Sequence, residues 1–395
     1  MRKNRLLEYT DSMKLKLLGH SANDLFWFIL PLVMPVLLMK YELSYTQAGG
    51  ILTIYLSIIA LGSFVLGKLS DSVSSRYILS YGFLLASMGL IASGFAPNLP
   101  IFLILISITA VGVSTFHPVM YALIDEAYPT NKGRVMGLYE SFGTAAILLM
   151  FLANGLLFAW IGVRGIMILS ALPALIMAYL YHSPKHFQIN PKIKGAPKKV
   201  LEKAKRHDIF IFVAFLLSVI LRVFSVTAIL NFLPTIFANF LGFTGSTAAY
   251  ATAFFFAGSI VGALLVGNFS DRWNNILILL VGTLLIIVSL FILSLSLPKL
   301  VFPLVIALFG AFTSGCIINQ NLLMTNLGRH LGKGEVFGIL MGVMTLTSSL
   351  SPAFFGFLLD HLTFSSSLRL MSIPLLCSML ILAFLSRSGK KGIRS

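Results

Sequence analysis

Residues 51–71 read ILTIYLSIIALGSFVLGKLSD, and residues 251–271 read ATAFFFAGSIVGALLVGNFSD. Each is an apolar run long enough to cross a bilayer core of about 30 Å as a helix, which takes about 20 residues. Each stops at the same G-x-x-S-D. Neither run alternates apolar with polar residues, so a strand is not the reading. Two like segments two hundred positions apart point to a helical membrane protein built by duplication.

The rest of the chain agrees. Its 395 residues are 57% apolar and only 11% charged, where soluble domains carry about 25% charged residues. The mean hydropathy is +0.93. The sequence predicts an all-α membrane protein with twelve spans, near 20–39, 47–67, 77–95, 100–122, 136–159, 165–181, 209–238, 247–268, 276–296, 300–325, 336–358 and 366–386. APNLP (96–100), YPTNKG (128–133) and SLPKL (296–300) read as turns between them. The organisation expected is an N-terminal segment 1–19, a six-helix bundle 20–181, a linker 182–208 rich in Pro, Lys and Arg, a second six-helix bundle 209–386, and a tail 387–395.

The net charge of +16 is read as loop bias, not nucleic acid binding, because basic residues gather in cytoplasmic loops. With the N-terminus inside, only Lys40, Arg164, Lys299 and Arg369 of the 29 Lys and Arg fall outside, and Arg222 falls within a helix. Both termini and the linker are therefore expected in the cytoplasm, in a bacterial inner (plasma) membrane. Cys316 and Cys377 lie in apolar runs and imply no disulfide framework. No nucleophile elbow, P-loop or Cys/His metal cluster is visible, so neither an enzyme, a cofactor nor a metal is expected.

The duplication can be aligned without a gap. Over 29–71 and 229–271, Ile29-Leu30 meets Ile229-Leu230, Gly62 meets Gly262, Gly67 meets Gly267, and Ser70-Asp71 meets Ser270-Asp271. A second block is shifted by one more position: Val135, Gly137 and Gly155 meet Val336, Gly338 and Gly356. Six spans per half is an even number, so the halves run parallel.

On these residues the chain resembles the major facilitator superfamily, whose loop between helices two and three reads G-x-L-(A/S)-D-R-x-G-R-(K/R). Gly67, Leu69, Ser70, Asp71 and Arg76 match, and Ser72, Ser74 and Ser75 depart; in the second half Gly267, Ser270, Asp271 and Arg272 match, and Asn274 and Asn275 depart. A narrower similarity, to the fosmidomycin-resistance-like exporters, rests on His20-x-x-x-Asp24 before Pro31 and Pro35, on Leu43-Ser44-Tyr45 with Gln47, and on Ser114-x-Phe116-His117-Pro118. The resemblance implies a secondary transporter working by alternating access, a monomer in lipid that carries a small molecule against protons. Gly67, Asp71, Arg76, Gly267, Asp271 and Arg272 would form its cytoplasmic gate. An aspartate favours a helix N-terminus, so Asp71 is expected at the start of helix eleven and Asp271 at the start of helix five; the competing reading is a cap within one half.

Ionisable groups within spans are costly and normally face a cavity or a partner. His20 and Asp24 share a helix face at i,i+4. In the resembled fold helices one, four, seven and ten line the cavity, which turns His20, Asp24 and His117 toward one wet space. With Glu140 they are the candidates for proton coupling, since histidine titrates near neutral pH. The alternatives are an interfacial role for His20 and Asp24, interhelical hydrogen bonding for His117, and, for Glu140, a pair with Arg134 or a place in the gate. Arg222 falls near the midplane of helix seven and calls for an anion, a solute carboxylate or phosphate or else Asp24, with pairing to backbone carbonyls as the alternative. Arg222, Asn231, Asn319, Gln320 and Asn321 are the candidate solute ligands. Two departures from the resembled antiporters stand out: ISITAVGVSTFHP (106–118) has no arginine, leaving His117 in its place, and SFGTAAILLMFLANG (141–155) has no Gly-Pro. The function expected is proton-coupled export of a small organic solute, anionic if Arg222 holds it. Uptake by proton symport is the rival, and a non-transporting membrane sensor or assembly factor is the second.

Overall fold

The computed structural model describes residues 2–69, 73–128, 132–184, 187, 206–269, 274–295, 297–327 and 335–388. Among them there is no strand. In chain order the helices are α1 (Arg2–Lys40), α2 (Tyr45–Leu69), α3 (Ser75–Ser93), α4 (Leu99–Ser114), α5 (Phe116–Ala127), α6 (Lys132–His182) and α7 (Arg206–Thr235). After one π-helical turn, Ile236–Phe240, come α8 (Gly245–Phe269), α9 (Asn275–Leu293), α10 (Val301–Leu327), α11 (Glu335–Ser349), α12 (Ser351–His361), α13 (Phe364–Leu370) and α14 (Ser372–Ser388). Among the described residues eleven helical stretches are long and apolar enough to cross a membrane, and the one at Val135–His182 is 48 residues long. At about 1.5 Å per residue that exceeds twice the bilayer core. It holds both runs expected at 136–159 and 165–181, broken at Gly162 by φ 59° and ψ −175°. Only glycine adopts that backbone readily.

Other helix ends differ from the sequence expectation for identifiable reasons. The expected run 100–122 is split between α4 and α5 at Thr115. Pro118 has no N–H to give to the carbonyl of Ser114, and that carbonyl instead accepts from the Ser63 hydroxyl at 3.1 Å. The run 336–358 is split at Leu350 in the same way. Pro352 frees the Ser348 carbonyl, which takes the Ser351 hydroxyl at 2.7 Å. α1 begins well before residue 20, and Lys16 is buried with its ammonium 5.1 Å from the centre of the Tyr128 ring.

The chain forms two compact units. The first comprises Met1–Leu43, Ile54–Ile193 and Phe243–Tyr250. In it α1 packs on α6, and α3 packs on α4 and α6. Gly112 lets α4 approach α3 closely: a Cβ there would stand 2.4 Å from the backbone nitrogen of Ala86. The second unit comprises Ser44–Thr53, Lys194–Gly242 and Ala251–Ser395. In it α9 packs on α10, and α14 packs on α7 and α9.

The first turns of α2 belong to the second unit and dock on α12 with every early N–H satisfied. Ser44 and Gln47 make a reciprocal capping box, Ser44 N–H to Oε1 at 2.9 Å and Gln47 N–H to Oγ at 3.2 Å. Asp360 on α12 accepts from the N–H of Tyr45 at 2.9 Å, and from the N–H and hydroxyl of Thr46 at 2.7 and 2.6 Å. Gly356 permits the approach, since a Cβ there would lie 2.1 Å from the Tyr45 carbonyl oxygen.

Candidate functional site

Three elements of the first unit bring the first cluster together. His20 and Asp24 stand one turn apart on α1, with His20 Nε2 3.3 Å from Asp24 Oδ2. The break before α5 turns His117 toward them, its Nε2 3.6 Å from Asp24 Oδ1. α6 supplies the floor. The Tyr139 carbonyl accepts from His20 Nδ1 at 2.8 Å, and the Tyr139 ring stacks on the imidazole at 3.7 Å between centroids. That carbonyl is already the helical acceptor for residue 143, but a carbonyl has two lone pairs, and Gly143 leaves the second one reachable. A Cβ at Gly143 would stand 2.2 Å from Asp24 Oδ2 and 2.6 Å from His20 Cε1.

The tautomer of His20 follows from these contacts. Its Nδ1 carries the proton donated to Tyr139, so Nε2 offers a lone pair toward Asp24. His20 is fully buried, and both its Nε2 and Asp24 Oδ1 lack a hydrogen-bond partner. His117 is oriented by Asn23, whose Nδ2 lies 3.1 Å from Nδ1. Trp27 and Tyr121 meet the His117 ring edge-on at 5.7 and 5.5 Å. Asp24 and His117 keep partial exposure, 14% and 22% of their side chains, so the cluster is open on one side. Glu140 joins it indirectly: it is exposed and accepts from the Tyr121 hydroxyl at 2.9 Å.

The second cluster lies in the second unit. Arg222 on α7 is 2% exposed; its Nη2 donates to Gln320 Oε1 on α10, while Nη1 has no partner. Among the described residues no carboxylate lies within ion-pair distance of it. Asn319 is fully buried, and its Nδ2 donates to the Gly315 carbonyl of its own helix at 2.9 Å, which leaves Oδ1 unpartnered. Asn231 also turns to its own helix, at the Thr227 carbonyl. Nine residues along α7 put it about 13 Å from Arg222, so it does not join that pair. Asn321 is exposed.

Of the expected gate residues, Gly67 and Gly267 fall in the last turns of α2 and α8, while Asp71, Asp271 and Arg272 lie outside the described residues. Arg76 is held locally by the Tyr77 hydroxyl at 2.8 Å. Residues that sequence reasoning left unassigned are Asn23, Tyr121, Tyr139 and Asp360. The polar run His20-Ser21-Ala22-Asn23-Asp24 inside a span carries a signal for Asn23. Nothing in the sequence signals Tyr139, which acts mainly through its backbone.

Comparison with known proteins supplies the family. The family model described as Major Facilitator Superfamily matches residues 17–334 and 215–395. The chain belongs to the Major Facilitator Superfamily. It is thus an integral membrane transporter of small molecules rather than an enzyme. It is similar to a putative metabolite transport protein of Haemophilus influenzae, 21% identical over 379 residues and covering 93% of each chain. It is also similar to the proton-coupled antiporter flippase LtaA of Staphylococcus saprophyticus, 25% identical over 355 residues, with 84% of this chain and 86% of the other covered. Among solved structures, a bacterial homologue of the human lysosomal transporter Spinster, inward-facing and unoccupied, shares the fold at a TM-score of 0.79 and 16% identity over 98% of both chains. The superfamily fold accounts for the all-α architecture and for the repeat. The narrower likeness to fosmidomycin-resistance exporters rests on the quoted residues alone.

Proposed function

We propose that this transporter exports a small organic anion in exchange for protons, by alternating access of two parallel six-helix halves, 20–181 and 209–386, joined by the cytoplasmic linker 182–208. The observation that carries the proposal is Asp24 between His20 and His117, with a free imidazole lone pair facing the carboxylate. A carboxylate held so, and open on one side, can pass its proton to the wet space and take it back, which couples proton movement to a conformational step. Glu140, through Tyr121, is the next acceptor on the path. The unpartnered Nη1 of Arg222 supports an anionic group on the solute, with Gln320 holding the other edge of the guanidinium. Asn319 Oδ1 offers the adjoining acceptor. The likeness to an antiporter coupled to protons supports the direction chosen. The proposed setting is a bacterial plasma membrane with both termini cytoplasmic, the chain acting as a monomer. There Gly67, Asp71 and Arg76 with Gly267, Asp271 and Arg272 close the cytoplasmic side.

The test is made in proteoliposomes holding a pH-sensitive dye, challenged from outside with a panel of small carboxylates and phosphates. Antiport requires the lumen to turn alkaline as solute enters, and Asp24→Asn must abolish the response. A lumen that turns acid would make the protein a symporter. No response to any member of a broad panel, with a partner protein co-purifying, would make it a sensor.

A further inference from the structure

The same three side chains have a property that proton transfer does not require. Together they form an N2O donor set, with one ligand atom each from His20, Asp24 and His117 all lying within 4.8 Å of one another. We propose that this triad is a binding site for a divalent transition-metal cation of the zinc class. The inference stands on the geometry of the cluster and does not rest on the transport reading.

The spacing suits such an ion. Zinc-class metals hold imidazole nitrogen and carboxylate oxygen at about 2.0–2.2 Å in tetrahedral geometry, which places neighbouring ligand atoms about 3.3 Å apart. His20 Nε2 is 3.3 Å from Asp24 Oδ2, one such edge, while His117 Nε2 is 3.6 Å from the other carboxylate oxygen, Oδ1; the three donors lie within 4.8 Å of one another, so small side-chain shifts close them on one ion. The supporting contacts suit it as well. Metal-bound histidine normally gives its other N–H to a carbonyl, which fixes the ring and the tautomer. His20 Nδ1 does this with Tyr139, and its fully buried Nε2 is left without a hydrogen-bond partner. Asn23 Nδ2 stands at Nδ1 of His117 and donates there, which leaves that ring's proton on Nε2; giving Nε2 to a metal requires the Asn23 amide to turn so that its Oδ1 accepts from Nδ1–H. Two imidazoles select against Mg²⁺ and Ca²⁺, which take oxygen ligands. Three protein ligands and one exposed side leave a fourth position for water, as in exchangeable rather than structural sites. A bound cation and a proton on Asp24 exclude each other, so metal affinity falls as pH falls.

The experiment uses full-length protein in detergent, free of any histidine tag and stripped with a chelator, titrated with Co²⁺ and back-titrated with Zn²⁺. The result expected is one Co²⁺ per chain, with visible ligand-field bands that Zn²⁺ abolishes. Binding should weaken by about tenfold or more in His117→Gln and in Asp24→Asn. Gly143→Ala keeps every donor and intrudes on two of them, so it should weaken binding too. His20→Gln risks the fold through its bond to Tyr139, whereas His117→Gln, on the open side, does not carry that risk. Undiminished Co²⁺ binding in His117→Gln and Asp24→Asn, or no stoichiometric binding by wild-type protein that still unfolds cooperatively, overturns the site. Proton-coupled flux measured in chelator keeps the two questions apart. Flux without metal binding removes this inference alone, and metal binding without flux removes only the transport reading.

Discussion

Asp360 offers the sharpest test of how α2 is held. Its carboxylate takes three donors at the start of α2: two backbone N–H groups and the Thr46 hydroxyl. Asp360→Ala leaves the Tyr45 and Thr46 N–H groups to water. Loss of a helix cap costs about 0.5–2 kcal/mol, and loss of a negative charge at a helix N-terminus costs about 0.3–1 kcal/mol. Because Asp360 is exposed, water recovers part of this, and the Ser44–Gln47 box remains. The net expected is about 1–2 kcal/mol, or roughly 5- to 30-fold in the local opening equilibrium. Hydrogen–deuterium exchange of a peptide spanning residues 41–53 reads it directly, with faster exchange confined to the first turn of α2. Asp360→Asn retains one acceptor oxygen but no charge and should fall between wild type and Ala. Gly356→Ala should exceed both, because its Cβ meets backbone rather than a movable side chain. Unchanged exchange in Asp360→Ala, or equal exchange in the Asn and Ala variants, would refute the assignment of the carboxylate as the cap of α2.

Three further outcomes are expected. Ser63→Ala should cost about 1 kcal/mol of stability, because the Ser114 carbonyl loses the hydroxyl that stands in for the N–H that Pro118 lacks; in a Pro118→Ala background it should cost nothing, a cycle read by thermal unfolding in detergent. Gln320→Leu should destabilise by about 1.5–3 kcal/mol by stripping a partner from the buried Arg222, and Arg222→Met together with Gln320→Leu should recover much of that loss in the same assay. Gly162→Ala should cost about 1–3 kcal/mol from backbone strain alone, since no atom lies within 4 Å of the Cβ it adds; Gly50→Ala, equally free of neighbours but helical, should cost nothing.

The sequence carried the repeat and the apolar runs because both are local or periodic properties of the chain. It also carried the pairing of His20 with Asp24, since helical spacing alone sets i,i+4 neighbours. Depth along a helix can be counted, but rotation about it cannot, and so Asn23 was not foreseen beside His117. Asn231 and Asn319 show the same limit: the Nδ2 of each donates to the carbonyl four residues back, a side-chain conformation that helical spacing does not reveal, while Oδ1 of Asn319 keeps no partner. The break at Thr115 was within reach, because Pro118 names the carbonyl it abandons. The aspartate on a helix start was foreseen at Asp71 and Asp271, which lie outside the described residues. The same device stands at Asp360, whose partner is 315 positions away in the chain, a distance over which periodicity says nothing.

The glycines that admit the first turns of α2 and of α8 are Gly356 and Gly155, equivalent positions in the repeat. Gly356 opens onto backbone beside Asp360; Gly155 opens onto the ring of Tyr250, and the position matching Asp360 is Ala159. One ancestral seam has therefore come to be closed by ions and amides, and its twin by flat hydrocarbon. Electrolyte in the surrounding medium can loosen the first and leave the second untouched, so the two copies of a once symmetric device now answer to different chemistry.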